Sequence, residues 1–172
     1  DLFTISEKKG TYEGVKVAYV GDGNNIANSL IEAATRLPFE LALACPEEYE
    51  PNPEILRAGV QSSGGRVRLF RQPSEAVEGA DVVYTDVWAS MGQEGEAEKR
   101  KQALKDYQIN AALMKRAKRD AVVMHCLPAH RGEEITADVI DGPQSVVFDQ
   151  AENRLHVQKA ILEILMGGGK ET

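Results

Sequence analysis

Short apolar runs alternate with amphipathic stretches along almost the whole chain. Val15–Val20, Glu40–Ala44, Arg66–Phe70, Asp81–Thr85 and Ala121–Met124 each read as a strand, and the β-branched, non-alternating Asp81–Thr85 and Ala121–Met124 suit strands covered on both faces. Between these runs the period changes. Asn25–Leu37 carries Ile26, Leu30, Ala33, Ala34 and Leu37 on one helical stripe and is stopped by Pro38. Pro53–Gln61 opens on a proline suited to a first helical turn, and Pro73–Val77 and Asn110–Ala117 supply shorter helices. The connection from Asp86 to Tyr107 is long, charged and glycine-containing, with a helix around Glu96–Leu104; loops of this length in compact domains are usually functional or disordered. A last strand, Ser145–Phe148, is expected to precede a closing helix, Ala151–Met166, that buries Leu155, Ile161, Leu162 and Leu165 and ends at a glycine triplet. Strand and helix in alternation predict an α/β fold: a doubly wound, Rossmann-like parallel sheet with helices on both faces.

At 172 residues the chain suffices for one well-cored domain and is short for two. The expected division is residues 1–14 as a linker or the end of an interdomain helix, 15–166 as the domain and 167–172 as a flexible tail. The start without Met, in a polar stretch, suggests a piece of a longer polypeptide. A formal charge of −7 argues against a nucleic-acid surface, since Lys99-Arg100-Lys101 and Lys115-Arg116 lie among acids and read as solvated helix faces. No apolar stretch approaches the ~20 residues of a membrane helix, and the first residues lack the features of a signal peptide. A soluble cytoplasmic protein is expected, with Cys45 and Cys126 as free thiols.

Three strands end in polar clusters. Gly21-Asp22-Gly23-Asn24-Asn25 follows the first, Asp86-Val87-Trp88-Ala89-Ser90-Met91-Gly92 the fourth and His125-Cys126-Leu127-Pro128 the fifth. In an open parallel sheet, ligands bind in the crevice beyond the carboxyl ends of the strands, so the three clusters are expected to converge on one site. The glycine turn is not a dinucleotide fingerprint. That would want a third glycine at Ile26 and an acid closing the second strand, where Cys45-Pro46 stands. Asn24 or Asn25 can cap the following helix, or an Asn amide can hold a polar ligand. Asp86 reads either as a loop cap or as a carboxylate for a substrate ammonium, with Ser90 and the Met91-Gly92 backbone closing over the substrate's stem. Adjacent His125 and Cys126 point to opposite faces of a continued strand, which argues against a Cys–His nucleophile pair. Cys126 and His130 lack further partners for a zinc site, so no metal is expected. Leu127–Pro128 is a candidate cis bond. Arg154, near the start of the last helix, is either a paired surface residue or a contact for phosphate or carboxylate.

Together these clusters, with Ala151-Glu152-Asn153-Arg154, closely resemble the ornithine carbamoyltransferases in order and spacing, over about Asp1 to Met166. The resemblance is to the C-terminal, ornithine-binding half of that family; the Ser-x-Arg-Thr-type carbamoyl phosphate loop of the N-terminal half has no counterpart here. It implies that Asn25, Asp86, Ser90 and Met91 hold L-ornithine, with Asp86 at the α-amino end and Ser90-Met91-Gly92 on a closing lid. It further implies that Cys126 and Leu127 line the reaction centre, Cys126 as proton acceptor, and that His125 and Arg154 reach carbamoyl phosphate. The implied reaction joins the δ-amine to the carbamoyl carbon, giving citrulline and phosphate, with no metal or organic cofactor. The implied partners are the two substrates, the N-terminal carbamoyl phosphate domain and, in the parent enzyme, further copies in trimers or multiples of trimers. The chain alone is expected to be inactive. The alternative readings are a non-catalytic amino-acid-binding or regulatory module on this fold, and a related carbamoyltransferase with another amine substrate.

Overall fold

The computed structural model describes residues 1–89 and 96–167. Five parallel strands, β1 (Lys16–Val20), β2 (Glu40–Ala44), β3 (Val67–Phe70), β4 (Val82–Thr85) and β5 (Val122–His125), lie in the order β3-β2-β1-β4-β5. The helices are α1 (Leu2–Lys9), α2 (Asn25–Arg36), α3 (Pro53–Ser62), α4 (Pro73–Val77), α5 (Ala97–Leu104), α6 (Ala111–Met114), α7 (Ala137–Ile140) and α8 (Val147–Met166). The strand order reverses between β1 and β4, which places a topological switch point, and hence a crevice, at their carboxyl ends.

Because side chains alternate along each strand, the sheet has two cores. Ala18, Val20, Ala42, Ala44 and Val83 face one side, where the small alanines let the short α4 approach with Ala76 and Val77. Val17, Tyr19, Leu41, Leu43, Val82 and Tyr84 face the other, against Ile5 of α1 and Ala27, Leu30 and Ile31 of α2. Gly23, in the turn after β1, has Pro51 N only 2.1 Å from where a Cβ would stand, so the chain's close approach here needs glycine.

Two sequence expectations fail at the C-terminal end. Ser145–Phe148 is not a strand: Ser145 makes a single isolated bridge with Val123, and Val147 already begins α8. Nor does α8 bury Leu155, Ile161, Leu162 and Leu165, which are 58%, 49%, 54% and 75% exposed. Its inward residues are Val147, Gln150 and Asn153. The physical reason is that α8 meets the domain through its first turns, against α1 and β5. There polar residues face inward because they are bonded: the Asn153 amide donates to Thr4 Oγ1 at 3.2 Å and to Glu7 Oε2 at 2.9 Å.

Candidate functional site

At the end of β1, Asn24 caps α2, its Oδ1 accepting from the Ile26 and Ala27 N–H groups. Its amide donates to Asp86 Oδ2 at 2.7 Å, linking the first strand end to the fourth. Asp86 Oδ1 accepts from the Val87 N–H at 2.8 Å and from the Cys126 thiol at 2.9 Å, linking the fourth to the fifth. Among the described residues, three donors thus hold the Asp86 carboxylate, which is 7% exposed. With about two acceptor positions per carboxylate oxygen, the described residues take only one of those on Oδ2. Burial, and then the neighbouring Asp86 carboxylate, pushes the Cys126 thiol up to about 12, so at neutral pH it is protonated and hydrogen-bonded.

Two cavities meet at Cys126. One, of about 580 Å³, is lined by Asn25, Asp86, Val87, Cys126, Leu127 and Glu133 among others. The other, of about 520 Å³, lies between α1, α2 and α8 and is lined by Cys126, Gln150, Asn153 and Arg154 among others. Asn24 being the cap, Asn25 is left exposed on the cavity wall. Arg154 is also exposed and makes no ion pair with the described residues, so the paired-surface alternative does not apply among them. At the rim of the first cavity, Lys101 pairs with Glu133 at 2.8 Å.

His125 is elsewhere. Its side chain is fully buried, and both ring nitrogens are bonded inside the protein, Nδ1 to the Leu127 N–H at 2.9 Å and Nε2 to Glu134 Oε1 at 3.2 Å. No ring nitrogen is free for a substrate in this arrangement. Leu127–Pro128 is cis and Leu127 has φ 55°. The ligand atoms of Asp86, His125 and Cys126, and of His130, Glu133 and Glu134, lie within 4.8 Å of one another. In the first group the thiol proton already bonds Asp86, and in the second the Lys101 ammonium sits on Glu133, which opposes a cation there.

Sequence reasoning placed Lys99-Arg100-Lys101 on a solvated face, but Arg100 is buried. It pairs with Asp22 Oδ2 at 2.8 Å, donates to the Trp88 carbonyl at 3.3 Å and stacks 4.5 Å from the Tyr49 ring centroid. This pair fastens α5 to the exit of β1. Burial, opposed by Arg100, raises the Asp22 carboxyl from its ordinary value. Ser90 and Met91, assigned to ornithine, lie outside the described residues. Nothing in the sequence pattern singles out Gln150 or Glu134, although Glu134 directly precedes Ile135, which is fully buried.

A family model described as aspartate/ornithine carbamoyltransferase, Asp/Orn binding domain, matches residues 13–165. The chain belongs to this family. Among curated carbamoyltransferases, the ornithine carbamoyltransferase of Syntrophus aciditrophicus is 69% identical over 166 residues, covering 96% of this chain and 55% of that protein. The anabolic ornithine carbamoyltransferase of Pyrococcus furiosus is 58% identical over 99% of this chain and 55% of its own length. The solved structure of ornithine carbamoyltransferase from Pyrococcus furiosus superposes with a TM-score of 0.90 at 58% identity, over 97% of this chain and 54% of that one. Anabolic ornithine carbamoyltransferase from Campylobacter jejuni reaches 0.90 at 38% identity, over 98% and 57%. The chain therefore spans about half the length of the carbamoyltransferases it matches, and it is the half named for binding the amino acid.

Proposed function

We propose that this domain is the ornithine-binding half of an ornithine carbamoyltransferase, which moves the carbamoyl group of carbamoyl phosphate to the δ-amine of L-ornithine. The observation that carries the reading is the position of Cys126 on the wall shared by two cavities, one holding Asn25 and Asp86, the other Arg154. An amine site and an anion site meet at a thiol. The amine must be neutral to attack, and for an ammonium like that of lysine this costs about 4–5 kcal/mol at pH 7 unless the site takes the proton. The Asp86–Cys126 pair supplies a route: the amine N–H proton passes to Sγ while the thiol proton passes to Asp86 Oδ1. With that proton gone the neutral amine forms the new C–N bond as the bond from the carbamoyl carbon to the phosphate oxygen breaks, the nitrogen's second proton passes to the departing phosphate oxygen, and hydrogen phosphate leaves towards Arg154. Leu127 flanks the same point, completing the carbamoyl phosphate side with Cys126 and Arg154.

Ornithine fits the first cavity better than aspartate does. Asp86 and Glu133 line it, and its one lysine, Lys101, is already paired with Glu133, so the charge suits a diamine and repels a dicarboxylate. In this reading Ser90 and Met91 complete the ornithine site. The other half of the full-length polypeptide contributes the carbamoyl phosphate loop, covers the exposed apolar residues of α8 and carries the contacts of a trimer. In this reading the parent protein is a cytoplasmic enzyme of arginine metabolism; no described helix is long and apolar enough to cross a membrane.

The test is citrulline formation by the full-length polypeptide, with putrescine and aspartate as competing acceptors. Ornithine-selective turnover is expected, and no product with any amine overturns the reading. Asp86→Asn, which removes the proton acceptor, is expected to lower kcat/KM for ornithine by about 10²–10⁴-fold. Unchanged turnover by that variant would remove Asp86 from the proton route.

A further inference from the structure

We infer that Glu134 is a positioning residue that, through the buried His125 ring, fixes the Leu127 backbone at the reaction centre; the inference rests on the carbamoyltransferase reading above. A backbone N–H can only donate, so the Leu127 N–H at 2.9 Å requires a lone pair on His125 Nδ1. The ring proton therefore sits on Nε2, which donates to Glu134 Oε1 at 3.2 Å. Glu134 Oε1 also accepts the His130 N–H at 2.5 Å, closing the loop Leu127–His130 back onto the same carboxylate. Both His125 and Glu134 have no exposed surface, so neither bond competes with water.

The far ends of this chain are equally fixed. Glu134 is held by its own carbonyl, which accepts the Ile109 N–H at 2.8 Å, and the His125 N–H donates to Gln150 Oε1 at 3.0 Å. What the chain holds in place is Leu127 at φ 55°, a left-handed conformation that a branched side chain adopts only where its surroundings impose it. Leu127 and Cys126 line the cavity together, so a shift of the Leu127 backbone moves the reacting groups relative to one another. His125 thereby acts through Leu127, in place of the direct contact with carbamoyl phosphate that the family resemblance implies.

The experiment combines steady-state kinetics of the full-length polypeptide carrying Glu134→Ala or Glu134→Gln with ¹⁵N NMR of the His125 ring in the unsubstituted protein. Expected are an Nε2–H tautomer, a fall in kcat of about 10²-fold for Glu134→Ala with KM for ornithine within a few-fold, and recovery of most of kcat in Glu134→Gln. The Gln carbonyl keeps the acceptor, so rescue separates positioning from proton transfer by the carboxyl group. An Nδ1–H tautomer, full kcat in Glu134→Ala, or a folded Glu134→Gln variant as impaired as Glu134→Ala would each overturn the inference. If Glu134→Ala does not fold, the tautomer and the Glu134→Gln kinetics decide alone. Failure of the carbamoyltransferase reading shows separately, as absence of citrulline from the unsubstituted protein, and leaves the tautomer measurement intact.

Discussion

Cys126 and Cys45 differ from surface thiols in the same direction for related reasons. Burial pushes Cys45 up to about 12, with the Asp22 and Glu50 carboxylates adding to it. The folded protein therefore keeps a proton that the unfolded chain releases near pH ~8.5, so this stability is complete below pH ~8.5 and is lost as pH rises towards 12. At pH ~10 the loss attributable to Cys45 is about 2 kcal/mol. Cys45→Ala removes that share, so urea unfolding at pH 7.5 and pH 10 is expected to show a smaller alkaline loss in the variant by about the same amount. An identical pH dependence would show that Cys45 loses its proton as readily folded as unfolded. At this scale the sequence was legible wherever a polar residue closed an apolar strand, as Asp86 and Cys126 do. It was silent on Glu134, because in Glu133-Glu134 nothing local says which acid turns inward; Glu133 meets Lys101 at the rim while Glu134 is fully buried.

Among the elements, the strands and the helices that follow them were readable because each carries its own period and its own stop, such as Pro38 after α2 and Pro53 at the start of α3. The start of α8 was not. Val146 and Val147 look like strand residues, and Val146 N–H does bond the Val123 carbonyl at 3.0 Å, but the chain turns helical within one residue of that contact. Position of α5 was equally hidden, since it depends on the nonlocal pair of Arg100 with Asp22, both about a tenth exposed or less. Breaking a buried pair from one side leaves an uncompensated charge and costs about 3–5 kcal/mol. Arg100→Met is expected to lower stability by that order in urea unfolding, and adding Asp22→Asn to recover most of it. If the double variant is as unstable as the single one, the loss comes from the stacking on Tyr49 and the bond to the Trp88 carbonyl, not from the stranded carboxylate.

For the whole molecule, the exposed apolar residues of α8 bear on the half that relatives possess beyond this chain. Leu155 and Leu162 lie seven residues apart on one helix face, near Ile161 and Leu165, and Phe3 of α1 is 51% exposed on the neighbouring helix. A soluble domain rarely leaves so many large side chains together in water, and such a patch marks an interaction site. The adjoining cavity with Arg154 and Cys126 is walled by these two helices and α2, so the surface that would be covered is continuous with the proposed carbamoyl phosphate side. The pair Leu155→Glu and Leu162→Glu therefore separates an interior helix from an interface helix. In the chain alone, where both positions already face water, urea unfolding should move by no more than about 0.5 kcal/mol for each substitution. In the full-length polypeptide, burial of both leucines against the other half predicts a loss of about 3–6 kcal/mol, read from the same unfolding curves. Equal destabilisation in both would mean that α8 is folded back onto the domain in solution; no effect in either would mean that the proposed carbamoyl phosphate half docks elsewhere.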